Sequence, residues 1–126
     1  MEADTLFFFR DRPSAIPLYE AFEQRLLSEL GEVHIKAQKT QITFTNPRVF
    51  AAVSFLPARR AKNRPDPYIT VTLGLGRREA SPRIDQVSEP YPGRWTHHLV
   101  IGSAEEIDEE LMAWVREAYE FAAEKR

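Results

Sequence analysis

Tyr68-Ile69-Thr70-Val71-Thr72-Leu73-Gly74-Leu75 alternates apolar with small or polar residues. A period of two sends successive side chains to opposite faces of a sheet, so this stretch predicts a β-strand with one buried face and one polar face. The period recurs upstream. Val33, Ile35 and Ala37 alternate with His34, Lys36 and Gln38, and Ile42 and Phe44 alternate with Gln41, Thr43 and Thr45. Asn46-Pro47 reads as a turn. Residues 49–56 are nearly all apolar, which suits a central strand. Downstream, residues 76–93 hold Pro82, Pro90 and Pro92 and read as an irregular connection, and residues 97–101 read as a last short strand.

Helical spacing brackets this block. Leu18, Phe22, Leu26 and Leu30 recur on one face, with Pro17 suited to a first turn and Gly31 to a stop. At the other end Ser103 and Glu106 form a capping box, and Ile107, Leu111, Trp114, Ala118 and Phe121 line one face of a final helix. Short connections make neighbouring strands antiparallel, and two amphipathic helices can cover only one side of the sheet. The expected fold is therefore α+β: a two-layer sandwich with an about five-stranded, mainly antiparallel sheet and N- and C-terminal helices on one face. At 126 residues the chain reads as one domain, 1–126.

The chain has no cysteine, which excludes thiol catalysis, disulfides and thiolate metal sites. Its acidic start and four-residue apolar run at 6–9 do not fit a secretory signal, and no stretch approaches a membrane span. The expectation is a soluble, cytoplasmic protein without membrane contact. Net charge is -2, but it is segregated. Residues 57–83 carry seven bases against two acids, and residues 103–126 carry eight acids against three bases. A basic rim could face an anion while the molecule stays acidic overall. That balance falls short of a dedicated nucleic-acid binder.

If the apolar set of each strand faces the helices, the second face presents His34, Lys36, Gln38, Gln41, Thr43, Thr45, Tyr68, Thr70 and Thr72, joined by Phe50 and Ser54 in one register of the central strand. Two basic loops, 57–67 and 76–83, leave from the strand ends and are placed to wall it. An ordinary solvated face shows the same alternation, so both readings stand. Arg94-Trp95-Thr96-His97-His98 concentrates two of three histidines beside one of two tryptophans. Neighbouring strand residues point to opposite faces, so one metal cannot take both imidazoles from a regular strand. No ligand spacing supports a metal or other cofactor, and none is expected. His98 on the open face could act as a proton donor or acceptor near neutral pH, with Lys36 holding an anion beside it. The simpler reading packs His97 at the core boundary and sets His98 against a backbone carbonyl. Trp95 then anchors a loop, and residues 7–9 pack an N-terminal arm under the first helix. Gly74-Leu75-Gly76 lacks the third glycine and following helix of a dinucleotide loop.

Lys39-Thr40-Gln41-Ile42-Thr43-Phe44, Phe50, Pro82-Arg83, Gly93-Arg94-Trp95-Thr96-His97-His98 and Ala118-Tyr119 together resemble an uncharacterised bacterial family of small domains of unknown function. The likeness covers residues 18–122. It implies that Lys39, Phe50, Arg83, Trp95, His97 and His98 are family positions, and it implies no reaction. Lys39, in the turn between the first two strands, could reach over the sheet end and join Arg83 and the histidine pair in one cationic cluster.

The expected role is a small binding module. It would use the polar face (Lys36, Thr43, Tyr68, Thr70, Thr72) with Lys39, Arg83, Trp95, His97 and His98 to hold an anionic small molecule or a protein segment. The alternatives are an enzyme using His98 with Lys39 or Arg83 as stabiliser, and a nucleic-acid-associated domain. Either a monomer or a homodimer pairing open faces or edge strands fits the pattern.

Overall fold

A computed structural model describes residues 2–124. It is an α+β fold built on one fully antiparallel sheet with six strands rather than about five: β1 (His34–Ala37), β2 (Ile42–Thr45), β3 (Val49–Ser54), β4 (Ile69–Leu75), β5 (Gln86–Tyr91) and β6 (Arg94–Ile101). The spatial order is β1-β2-β3-β4-β6-β5. The apolar β3 and the alternating β4 sit in the interior of the sheet, as their patterns require. The extra strand, β5, lies within the stretch expected to be irregular. It pairs only with β6 and carries Pro90, which an edge strand tolerates because one side needs no ladder N–H. β6 begins three residues earlier than expected.

Helix α1 (Ala3–Phe8) precedes α2 (Ile16–Glu29), the first helix expected, and α3 (Glu109–Glu124) closes the chain. The capping box does form, with Glu106 Oε1 accepting from the N–H groups of Gly102 and Ser103. It caps only a single 3-10 turn, Ala104–Glu106. The α-helix starts later, where Asp108 Oδ1 accepts from the Leu111 N–H at 3.0 Å. α2 and α3 lie side by side on one face, joined through Arg25 and Arg116 to Glu29 and Glu109. Their apolar stripes meet Phe44, Ala51, Val53, Val71, Leu73 and Leu99 in one core. Among the described residues no helix is long and apolar enough to cross a membrane.

Phe50 belongs to this core and not to the polar face. The β2–β3 register shifts beside Phe44 and Thr45, so Thr45 pairs with Val49 while Phe44 pairs with Ala51. The extra residue breaks the alternation there, and the Phe50 ring meets Tyr119 of α3 edge-on at 5.1 Å. Phe8 and Phe9 are buried as an N-terminal arm. Phe9 touches Tyr19 of α2, and Phe8 stacks on Phe55 at the end of β3.

Candidate functional site

The strand registers place Lys36, Thr43, Ala52, Thr72, His98 and Gln86 in one row across all six strands. The next row, Ile35, Phe44, Ala51, Leu73, His97 and Val87, faces the helices. His97 and His98 therefore lie on opposite sides of the sheet, as their adjacency in a strand demands.

Half of the polar face is covered. After β3 the chain crosses over β4 and β6 toward β5, fastened at each step. Tyr68 Oη donates to the Phe55 carbonyl at 2.7 Å, Thr70 Oγ1 to the Leu56 carbonyl at 2.6 Å, and Gln86 Nε2 to the Ala58 carbonyl at 3.2 Å. Arg59 then forms a bidentate pair with Asp85 at 2.9 and 3.1 Å and donates to the Val100 carbonyl. Thr70 is left 0% exposed, and Tyr68 is buried and lines a separate cavity beside Arg12 and Arg64. The strand pattern could not show this, because the covering segment comes from a connection.

Beside that crossing a cavity of about 560 Å3 opens over Ser54, Thr72 and His98. Its walls come from Phe8 at the end of α1 and from three connections: Arg10, Asp11 and Arg12 after α1; Lys39, Thr40 and Gln41 from the β1–β2 turn; and Phe55 and Leu56 leaving β3. Among the described residues three cationic side chains thus line it against one carboxylate. Arg12 is held by aromatic rings, its guanidinium carbon 4.7 Å from the Phe55 centroid and 5.3 Å from that of Tyr68. Arg10 donates to the Phe7 carbonyl at 2.9 Å and stands 3.9 Å from Asp11, whose side chain is 86% exposed.

On the floor, His98 Nδ1 lies 2.8 Å from Thr72 Oγ1. Nε2 has no hydrogen-bond partner among the described residues. Burial, assisted by the nearby His97, holds the His98 pKa below the usual imidazole value, so the ring is neutral at pH 7.

Of the residues singled out from the sequence, Lys39, Gln41, Ser54, Thr72 and His98 line this cavity together. Lys36 and Thr43 share the row with Thr72 without lining it, and Thr43 Oγ1 donates to the Lys36 carbonyl. His97 is elsewhere and fully buried. Its Nδ1–H donates to the Trp95 carbonyl at 3.1 Å, and Nε2 accepts from the Glu79 N–H at 2.9 Å. Trp95 lies under Arg78 on the side of the irregular loop. Arg83 is turned to α3, where it donates to Asp108 at 2.8 Å, Glu110 at 3.0 Å and the Glu106 carbonyl at 2.8 Å. The loop at 76–83 therefore does not wall the polar face. Two of its arginines pair with acids of the C-terminal segment, Arg77 with Glu117 and Arg83 with Asp108 and Glu110, while Arg78 lies over Trp95, and the expected cluster of Lys39, Arg83 and both histidines does not assemble. Among the described residues no group of His, Asp and Glu could hold a metal ion.

The residues missed from the sequence are Arg10, Asp11, Arg12, Phe55 and Leu56. A signal existed for the first three: an aromatic run that is partly buried carries the charged residues after it to the rim of whatever it packs on. Nothing local marked Phe55 and Leu56 as leaving the sheet.

These features define a small open-faced α+β sandwich domain, with helices on one side of the sheet and a cationic, donor-rich cavity on the other. The chain belongs to the family described as a domain of unknown function, DUF5655, which matches residues 7–122. No curated protein and no solved structure matches the chain.

Proposed function

We propose that this protein is a non-enzymatic binding module that holds a small anionic molecule in the cavity over Thr72 and His98. The observation that carries the reading is the convergence of Arg10, Arg12 and Lys39, from two separate connections, above a floor of hydrogen-bonding side chains. The volume suits a small molecule, and the mixture of apolar wall with a few convergent polar groups is the usual make-up of a ligand site. A neutral imidazole beside a hydroxyl donates or accepts hydrogen bonds without competing for the cationic rim.

The Thr72–His98 contact favours a second reading, an acid–base site with Lys39 as electrostatic stabiliser. It is the weaker one. Among the described residues the single carboxylate lining the cavity is the exposed Asp11, and no buried carboxylate orients the imidazole. Engagement of Arg59, Arg77 and Arg83 by carboxylates weighs against a nucleic-acid surface on the basic loops.

A thermal-shift screen against small carboxylates, phosphates and sulfates tests the proposal. An anion at a hundred times its Kd stabilises the fold by about 2.7 kcal/mol. The shift should fall to about half in Lys39→Ala, as a roughly tenfold weaker Kd requires, and should fall likewise in His98→Ala, while Lys39→Ala without ligand melts as the parent does because Lys39 is exposed in a turn. A shift that neither substitution reduces refutes the site.

A further inference from the structure

We infer that the occupant of this cavity is a small phosphate monoester carrying a short apolar substituent, bound as its dianion. The inference rests on the cavity being the binding site. Three features of the lining point to it.

The first is charge. Among the described residues Arg10, Arg12 and Lys39 line the cavity with Asp11 as its one carboxylate, an excess of two positive charges. A carboxylate would neutralise one of them. A phosphate monoester carries about -1.5 to -2 at pH 7 and neutralises nearly both. The arginines of the helix face differ in kind: Arg25, Arg77, Arg83 and Arg116 each hold a carboxylate of their own. Arg12 and Lys39 form no such pair among the described residues.

The second is a surplus of donors. His98 is neutral with Nδ1 engaged by Thr72, so its remaining nitrogen carries the proton once the Thr72 hydroxyl donates to Nδ1. Ser54 Oγ accepts from the Leu56 N–H at 3.2 Å, which leaves its own hydroxyl proton free to donate. Thr40 and Gln41 add further donors at the rim. Three phosphoryl oxygens, each accepting more than one hydrogen bond, match that set better than the two oxygens of a carboxylate.

The third is the apolar wall. Leu56 is 41% exposed although it lies beside buried Phe8 and half-buried Phe55. An apolar substituent on the phosphate would cover it, and a cavity of about 560 Å3 takes such a molecule whole.

Isothermal titration of the full chain at pH 7.5 and low salt, with phenyl phosphate, inorganic phosphate and benzoate as probes, tests the inference. Phenyl phosphate should bind at least about tenfold more tightly than either of the others, and Lys39→Ala and Arg12→Ala should each weaken it about tenfold, the scale of one charge-assisted contact. Benzoate binding as tightly as phenyl phosphate overturns the dianion while leaving an anion cavity in place. Inorganic phosphate binding equally overturns the substituent. No binding by any probe, or binding that neither substitution weakens, overturns the inference and the binding-module reading together.

Discussion

Replacing His97 by phenylalanine should cost much stability and leave any ligand binding at His98 intact. The ring is fully buried and both of its nitrogens are used. Phenylalanine keeps a flat ring but removes the acceptor of the Glu79 N–H, and an orphaned buried donor costs about 1–3 kcal/mol. The Trp95 carbonyl also loses its imidazole donor, a further loss of roughly 1 kcal/mol. Glu79 matters because its carboxylate accepts from Trp114 Nε1 at 3.1 Å and pairs with Arg77, tying the loop to α3. The expected total is about 2–4 kcal/mol, a fall in Tm of about 10 °C for a chain this size. His97→Gln, whose amide oxygen can stand in for Nε2, should recover part of it. Burial, partly offset by the Trp95 carbonyl, holds the His97 pKa below its ordinary value of 6.5. The unfolded chain thus takes up the proton first as pH falls. The stability contributed by the neutral ring is complete above about pH 6.5 and declines below it, toward the folded pKa. Differential scanning fluorimetry between pH 7.5 and 5.5 should show a shallower loss in His97→Phe than in the parent, not a flat line, since His98 titrates in the same sense. A variant that melts within a degree or two of the parent, with the same pH slope, would refute this account of His97.

Asp108→Ala should destabilise by about 1–3 kcal/mol in urea titration, because one carboxylate caps α3 and receives Arg83. Burial works against that charge, but the Leu111 N–H and the Arg83 guanidinium hold the Asp108 pKa below the usual carboxylate range. Its contribution is present in full above about pH 4 and is lost as pH falls through the folded value, so the variant should lose less stability than the parent on acidification. Gly102→Ala should loosen the covering loop, since a Cβ there would sit 2.4 Å from Pro65 Cγ. A cost of about 1–3 kcal/mol is expected, with faster amide exchange at residues 61–66 as the specific readout.

The strands legible in the sequence are those whose surroundings repeat along the chain. β4 alternates because helices press on every second residue, and β3 is apolar because it lies inside the sheet. β5 escaped detection because an edge strand with Pro90 and mostly exposed side chains has no buried face to impress a period on it. The same logic divides the site. Thr72 and His98 were legible because strand alternation carries them to the polar face, and Lys39 because a hairpin turn has few places to go. Tyr68 and Thr70 share that alternation yet are buried under residues 55–59, and Arg83 has the right charge but a nearer partner in the acidic first turn of α3.

The sequence by itself therefore determined the α+β class, the two-helix layer, the antiparallel sheet and the opposite faces of His97 and His98. All of these follow from periodicity and from the handful of residues around each position. Only the tertiary structure decided which part of the polar face stays open, that Arg10 and Arg12 stand over it, and that Phe50 turns into the core. These depend on where connections run and on a one-residue shift in strand register. The route of a connection is set by hydrogen bonds and ion pairs to residues remote in the chain, such as Arg59 to Asp85 and Thr70 to Leu56, and no local pattern encodes such partners.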